Sequence, residues 1–532
     1  MNTKDLSTNN TIKVHELIFY IYFLFLFGSR AVGLYDGQPV YNACIVAGML
    51  AFLIKVAATR QSLCEYIAGF AILSTGALTY LCSGEKGLLI YFTLMLGMKG
   101  IQEKKVMRLG LIILSVSYFV LYLLSITGII TELNHMNKRS GYGFLLRHSL
   151  GYPYPNTAHT TLLILIIFFF YLYEAKNTRS LLKASIIAML VNVYVYMYTV
   201  SLTGLLSISI YLIVNIYLQL RPVRSKVENF FISLLFPAVV VFSVAGPLLA
   251  TGQAFEFMNK LLHKRYEFAL YFLTNEKITP FGSYFKATPT NWYMLDNSFL
   301  YLFLQLGIIP FLLVCALYIL WIRHLIKGNK LSELAVIITF CFIGMSDPFL
   351  FNLSFKNLTF IFLGTWLYDS IGKAKASLPQ VLQKEILILP FGENEVTLFR
   401  KQKSSHVRLL SQTFYEISTH IIRYALIFAI VGLIGCTVYT KTNDEPKILY
   451  ADSMITDPYF SHKSITMSEA DVEAALEAGD LVEGYDADDP TMYVFKKKAP
   501  HMEYIRSTIT CGIWAGLICV LILSIIRTFR KS

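Results

Sequence analysis

Charge is scarce in this chain. Only 15% of its 532 residues are Asp, Glu, Lys or Arg, against about 25% in soluble domains, which argues against a water-facing globule. Cysteine chemistry is thin as well. Of eight cysteines, Cys44, Cys315, Cys341, Cys436, Cys511 and Cys519 lie in apolar runs, where a thiol behaves as a small hydrophobe. None has metal-ligand spacing, and neither large polar loop contains any, which excludes a disulfide framework there. Internal repeats and low-complexity tracts are absent too. What is abundant is apolar surface: 55% of residues are hydrophobic, Phe numbers 39 and Tyr 34, and mean hydropathy is +0.55. The length would suffice for several soluble domains, but the apolar runs point to one large membrane bundle. The net charge of +12 sits mainly in short loops between those runs, so it is no signal for nucleic acid.

A spanning helix needs about 20 mostly apolar residues. Candidates lie at 16–35, 40–57, 65–81, 87–100, 107–129, 158–174, 182–199, 203–220, 229–249, 298–321, 333–350 and 357–372, with two more at 419–439 and 507–527. The fold class expected is therefore all-α and polytopic, with about fourteen spans. No small-residue cleavage site follows the first run, so it reads as a retained helix. Orientation follows from positive charge, which concentrates in cytoplasmic loops. Placing the N-terminus inside puts Arg60, Lys99, Lys104, Lys105, Arg108, Lys176, Arg179, Lys183, Arg221, Arg224, Arg323, Lys327 and the tail Arg527, Arg530 and Lys531 on one side. Both termini are expected to be cytoplasmic.

Three parts emerge. Residues 1–372 form a twelve-span array, and 373–418 a polar cytoplasmic linker with an apolar patch at Ile386–Pro390 and a strand signal at Glu395–Phe399. Residues 419–532 are a two-helix hairpin around an outer segment, 441–506, with fourteen acidic and seven basic residues. Within it, Ser468–Gly479 has the pattern of a short capped helix.

Two outer loops hold positive charge against the topology rule. The first, about 130–157, carries Lys138, Arg139, Arg147 and His148; the second, about 250–295, carries Lys260, His263, Lys264 and Arg265. Such charge suggests an anionic ligand at the outer face. The Gly/Pro/Tyr-rich stretch after Arg147 cannot be regular helix, and non-helical backbone near a membrane must be buried or line a wet cavity. Asn156, Thr157, His159 and Thr160 then open a helix whose free N–H groups suit an anion. Arginine engages phosphate oxygens bidentately and stays charged. The competing readings are an interfacial loop with snorkelling arginines, and Asp296 as a plain N-cap for the following helix.

The segment Arg147-His148-Ser149-Leu150-Gly151-Tyr152-Pro153-Tyr154-Pro155-Asn156 resembles a stretch of bacterial polysaccharide repeat-unit polymerases, relatives of the O-antigen polymerases and ligases. Arg265, Phe281-Gly282, Leu295-Asp296-Asn297 with Gly307-Ile308-Ile309, and Ser346-Asp347-Pro348 with Asn352 and Asn357 are similar to later segments of that family. The chain departs from the pattern at Tyr154, where His is usual, and at Leu202, where Arg is usual. The resemblance covers about 1–372 and leaves the hairpin unexplained.

It implies a cofactor-free, metal-independent glycosyltransferase in the plasma membrane. Such an enzyme uses undecaprenyl-pyrophosphate-linked oligosaccharide at the outer face, alongside a flippase and a chain-length regulator as candidate partner proteins. In that reading Arg147 and Arg265, assisted by Arg139, bind the pyrophosphate. His148, His159 or Asp296 accepts the proton of the attacking hydroxyl, and Asn156 and Asn297 orient sugars. An O-antigen-ligase-type transferase is the nearest alternative. A lipid-linked oligosaccharide flippase is the alternative from another class, although a transport path should place ionisable groups inside the spans, and these are nearly charge-free.

Overall fold

In lipid the backbone has no water to bond, so each apolar run closes its own hydrogen bonds as helix. The computed structural model describes residues 11–531 apart from 131, 133–134, 140–142, 176, 287, 289–293, 398–404, 446–447, 452–463, 466–480, 484–491 and 497. Its helices begin with α1 (Val14–Ala31), α2 (Pro39–Ala57), α3 (Leu63–Ser83), α4 (Gly87–Gly97), α5 (Glu103–Ile126) and α6 (Pro155–Leu172). Next come α7 (Thr178–Thr199), α8 (Leu202–Leu220), α9 (Lys226–Val244), α10 (Gly252–Leu261), α11 (Arg265–Asn275) and α12 (Ser298–Leu304). The series continues with α13 (Ile308–Lys327), α14 (Leu331–Gly344), α15 (Thr359–Lys375), α16 (Ser405–Thr419), α17 (Ile421–Thr442) and α18 (Lys498–Lys531). Among the described residues, eleven helices are long and apolar enough to cross a membrane. The chain is an all-α polytopic membrane protein.

The remaining three expected spans fall on α4, α14 and α15, of 11, 14 and 17 residues. At about 1.5 Å per residue, none reaches the ~30 Å of a hydrocarbon core. Their burial explains the pattern. Every residue of α4 but Leu89 is buried, as are most of α14, so these helices meet protein on all sides, the other cause of an apolar run with no polar face. Tyr91 of α4 stacks on Phe355 and Phe360, with ring centroids 6.0 and 4.9 Å away.

The tenth expected span, 298–321, is broken between α12 and α13. Gly307 takes φ +99° and packs against Gly282, at φ +81°. A Cβ on Gly282 would stand 2.0 Å from the Gln305 oxygen, and one on Gly307 2.3 Å from the Gly282 nitrogen. Only glycine permits both the backbone angles and the approach. The freed N–H groups of Ile308 and Ile309 donate to the carbonyls of Thr279 and Pro280, each at 3.0 Å.

At the opposite end of the bundle, the chain after α15 packs onto the helix ends. Strand Glu395–Thr397 pairs antiparallel with Thr11–Lys13, and Glu385–Ile386 with Gln61–Ser62. Lys13–Glu393 and Lys375–Glu385 ion pairs, at 2.6 and 3.0 Å, accompany them. The strand signal at Glu395–Phe399 thus meets a strand as far as Thr397, and Phe399 lies outside the described residues. The hairpin helices α17 and α18 meet through small residues: a Cβ on Gly512 would lie 2.4 Å from Cys436 Sγ, the close backbone approach that glycine allows between membrane helices. Between them, the described residues of 441–506 form a four-stranded sheet in the order Ser464–Ile465, Ile448–Ala451, Met492–Lys496, Leu481–Glu483. The capped helix expected at Ser468–Gly479 lies outside the described residues.

Candidate functional site

The two basic loops meet. Arg147 ends a strand, Gly143–Arg147, that pairs antiparallel with His135–Arg139. Arg265 opens α11 after two residues with positive φ, His263 at 49° and Lys264 at 67°, a conformation uncommon outside glycine. Both arginines line one cavity of about 380 Å³. Its polar lining adds Asn156, Thr203, Ser207, His263 and Ser346, and its apolar lining includes Leu202, Leu206, Ile210, Leu261, Leu262 and Phe342. Leu206 and Leu261 are 52% and 60% exposed, and the first belongs to a candidate membrane span.

Each arginine is held in place. Arg147 Nε donates to the Thr199 carbonyl at 2.9 Å and Nη2 to Asn156 Oδ1 at 2.7 Å. The last residue of α7 supplies that carbonyl, and Ser201 caps α8 by accepting from the Gly204 nitrogen. Arg265 Nε donates to the Ser346 carbonyl at 3.1 Å, and Nη2 lies 3.6 Å from Asp296 Oδ2. Burial raises Asp296 above the ordinary carboxylate range, with Arg265 pulling the other way. Burial and then the Asp296 charge push neighbouring Asp347 up to about 6. A carboxylate pair beside a guanidinium therefore stands next to the cavity.

The other residues singled out from sequence are placed as follows. Asn156 lines the cavity. His159 does not. It is fully buried, with Nε2 2.7 Å from Asn192 Oδ1 and Nδ1 3.0 Å from Thr199 Oγ1. The start of α8 lies against its ring, so that a Cβ on Gly204 would be 2.3 Å from His159 Cγ. With both nitrogens engaged by protein groups outside the cavity lining, the proton-acceptor role expected for His159 finds no support in this arrangement. Asn297, expected to orient a sugar, caps α12: Oδ1 accepts from Phe299 and Leu300 nitrogens, both at 3.0 Å, while Nδ2 donates to the Met345 carbonyl. Asn297 rather than Asp296 is the N-cap, which leaves Asp296 to pair with Arg265. Arg139 lies in strand His135–Arg139, and its side chain is outside the described residues.

His148 points away from the cavity. Its Nδ1 is 2.9 Å from Glu132 Oε2 and its Nε2 3.0 Å from Glu503 Oε2, the latter on α18. Burial alone would lower the imidazole; hydrogen bonds to Glu132 and Glu503 outweigh it and raise the pKa to about 9. With both ring nitrogens engaged by carboxylates, the proton-acceptor role expected for His148 finds no support in this arrangement.

Sequence reasoning passed over several participants. His263, Thr203, Ser207 and Ser346 line the cavity; the first was visible only as part of a basic run and the last only within the Ser346-Asp347-Pro348 motif, while hydroxyls inside apolar helices, Thr203 and Ser207, carry little signal. Glu132 and Glu503 are ordinary acidic residues until the fold sets them about His148. No protein-family model, curated protein or solved structure matches this chain.

Proposed function

We propose that the protein is a glycosyltransferase that polymerises polyprenyl-pyrophosphate-linked oligosaccharide repeat units at the outer face of the plasma membrane. The observation carrying this reading is that Arg147 and Arg265, from distant loops, line one cavity that also has an apolar wall, part of it the half-exposed Leu206 of a candidate membrane span. An anionic head and a hydrocarbon tail on one ligand fit those two linings.

In this reading the arginines neutralise the departing pyrophosphate. Preorganised charge in a partly desolvated site stabilises such a leaving group without reorganising during the reaction. The acceptor hydroxyl oxygen bonds to the anomeric carbon as the bond from that carbon to the pyrophosphate oxygen breaks, and the hydroxyl proton passes to a carboxylate. Asp296 serves that role, its basicity raised by burial. Asn156, bonded to Arg147, meets the sugar.

The test uses purified full-length protein with a lipid-linked repeat unit as both donor and acceptor. Arg147 and Arg265 are replaced singly by Lys and by Ala. Each replacement is expected to lower polymer yield at least about tenfold at unchanged protein abundance, the equivalent of one lost charge-assisted hydrogen bond of ~1.5 kcal/mol or more. Lys is expected to fail because it offers no planar fork. Unchanged polymer in all four variants would remove the arginines from the mechanism. Transfer only to a second, different acceptor would indicate ligase chemistry instead.

A further inference from the structure

The last helix of the hairpin does not line the cavity, yet it reaches the strand that carries Arg147. Arg506, on α18, is 2% exposed and donates through Nη1 to the Leu146 carbonyl at 3.0 Å. Glu503, one turn earlier, is ion-paired with Arg506 and meets His148 at 3.0 Å. On the other flank of His148, Glu132 Oε2 lies 2.9 Å away and Glu132 Oε1 accepts the Leu150 N–H at 2.8 Å. The His148 backbone N–H donates to the Tyr198 carbonyl at 2.9 Å, and the Tyr198 ring stands edge-on to the imidazole. The residues on both sides of Arg147 are thus gripped from α18 and from the Glu132 loop. Extended chain alternates its side chains, so a grip on Leu146 and His148 fixes the direction in which Arg147 projects.

We propose that Glu503 is a positioning residue for Arg147, acting through the His148 imidazolium, so that the C-terminal hairpin is an integral part of the anion-binding cavity. This rests on Arg147 being the anion-gripping arm. The groups facing the imidazole are Glu132, Glu503 and Tyr198, with Arg506 behind Glu503. Deprotonation of His148 removes the donor from one of its two carboxylate contacts, leaving Glu132 only the Leu150 N–H or Glu503 only Arg506, and the grip on the strand loosens.

The test measures binding of P1,P2-dimethyl pyrophosphate, a diester whose charge stays constant across the titrated range, to full-length protein in lipid nanodiscs. Wild-type affinity is expected to fall about tenfold as pH rises through about 9. Glu503→Gln is expected to shift that fall downward by about one unit or more, since one of two stabilising charges is gone. His501→Gln, on the same helix but paired with Glu445, is expected to leave it in place. Coincident pH profiles for wild type and Glu503→Gln would overturn the proposal. A second readout needs no ligand: amide hydrogen exchange across 143–150 is expected to run severalfold faster in Glu503→Gln than in wild type or His501→Gln. Equal exchange would overturn the proposal as well. Faster exchange combined with no binding of the diester by the wild type would sink the pyrophosphate reading while supporting the hold of Glu503 on the Arg147 strand.

Discussion

A single imidazole shows how far burial can be overruled by its neighbours. His148 carries two carboxylates, and its pKa rises from 6.5 to about 9. A raised value in the folded state means stability that is full below pH 6.5 and lost as pH climbs through about 9. The amount is on the order of 3 kcal/mol. Thermal melting of the solubilised protein is expected to show a midpoint that declines across that interval, and a flat profile there in His148→Gln. Equal declines in both would mean other groups titrate. The neighbouring assignments show what residue type alone can and cannot say. The two arginines were legible because positive charge in loops expected on the outer side runs against the topology rule. His159 was misread because Asn, Thr and His at a helix start look like a polar site, whereas only the fold supplies Asn192 and Thr199 to close both its nitrogens. Asp296 reads from sequence as a plain N-cap, but α12 begins at Ser298, so Asn297 caps it and Asp296 is left to pair with Arg265.

At the scale of elements, apolar length was a sound guide to helix and a poorer one to span. Each of the fourteen expected runs overlaps helix, though 298–321 is interrupted and 333–350 is helical only as far as Gly344, and α4, α14 and α15 owe their composition wholly or partly to protein neighbours. The break between α12 and α13 was hidden because apolar residues run across it; Gly282 and Gly307 were each conspicuous, and their mutual contact was not. Gly307→Ala is expected to destabilise the protein by about 2 kcal/mol or more, from positive-φ strain plus the collision with Gly282. A lowered melting midpoint would register it, accompanied by weaker diester binding because Gly282 lies in the loop that follows α11, the helix whose first residue is Arg265. An Ala variant with wild-type melting would show that the loop yields without cost.

For the molecule as a whole, the charge asymmetry of the loops sets one expectation that burial and hydrogen bonds do not address: which end faces out. In a variant with the eight native cysteines replaced, a single cysteine at Lys264 is expected to react with a membrane-impermeant maleimide on intact cells. One at Arg60, at the end bearing the paired strands Gln61–Ser62 and Glu385–Ile386, is expected to react only after permeabilisation. The reverse pattern would invert the bundle and place the cavity on the inner face. The three-part division read from sequence looks different once packed. The stretch after α15 is bonded into the helix ends, and α18 lies against the rings of Tyr122 and Tyr194, so neither reads as an appendage in space.

The exposed leucines that line the cavity have a corollary for the proposed lipid-linked guest. A guest that enters past Leu206 travels in two dimensions, within the leaflet, and reaches the arginines without first leaving its solvent of hydrocarbon. Occupancy then tracks the mole fraction of guest among surrounding lipids, so thinning the leaflet with inert lipid empties the cavity even when the total amount of guest per volume of sample is held fixed.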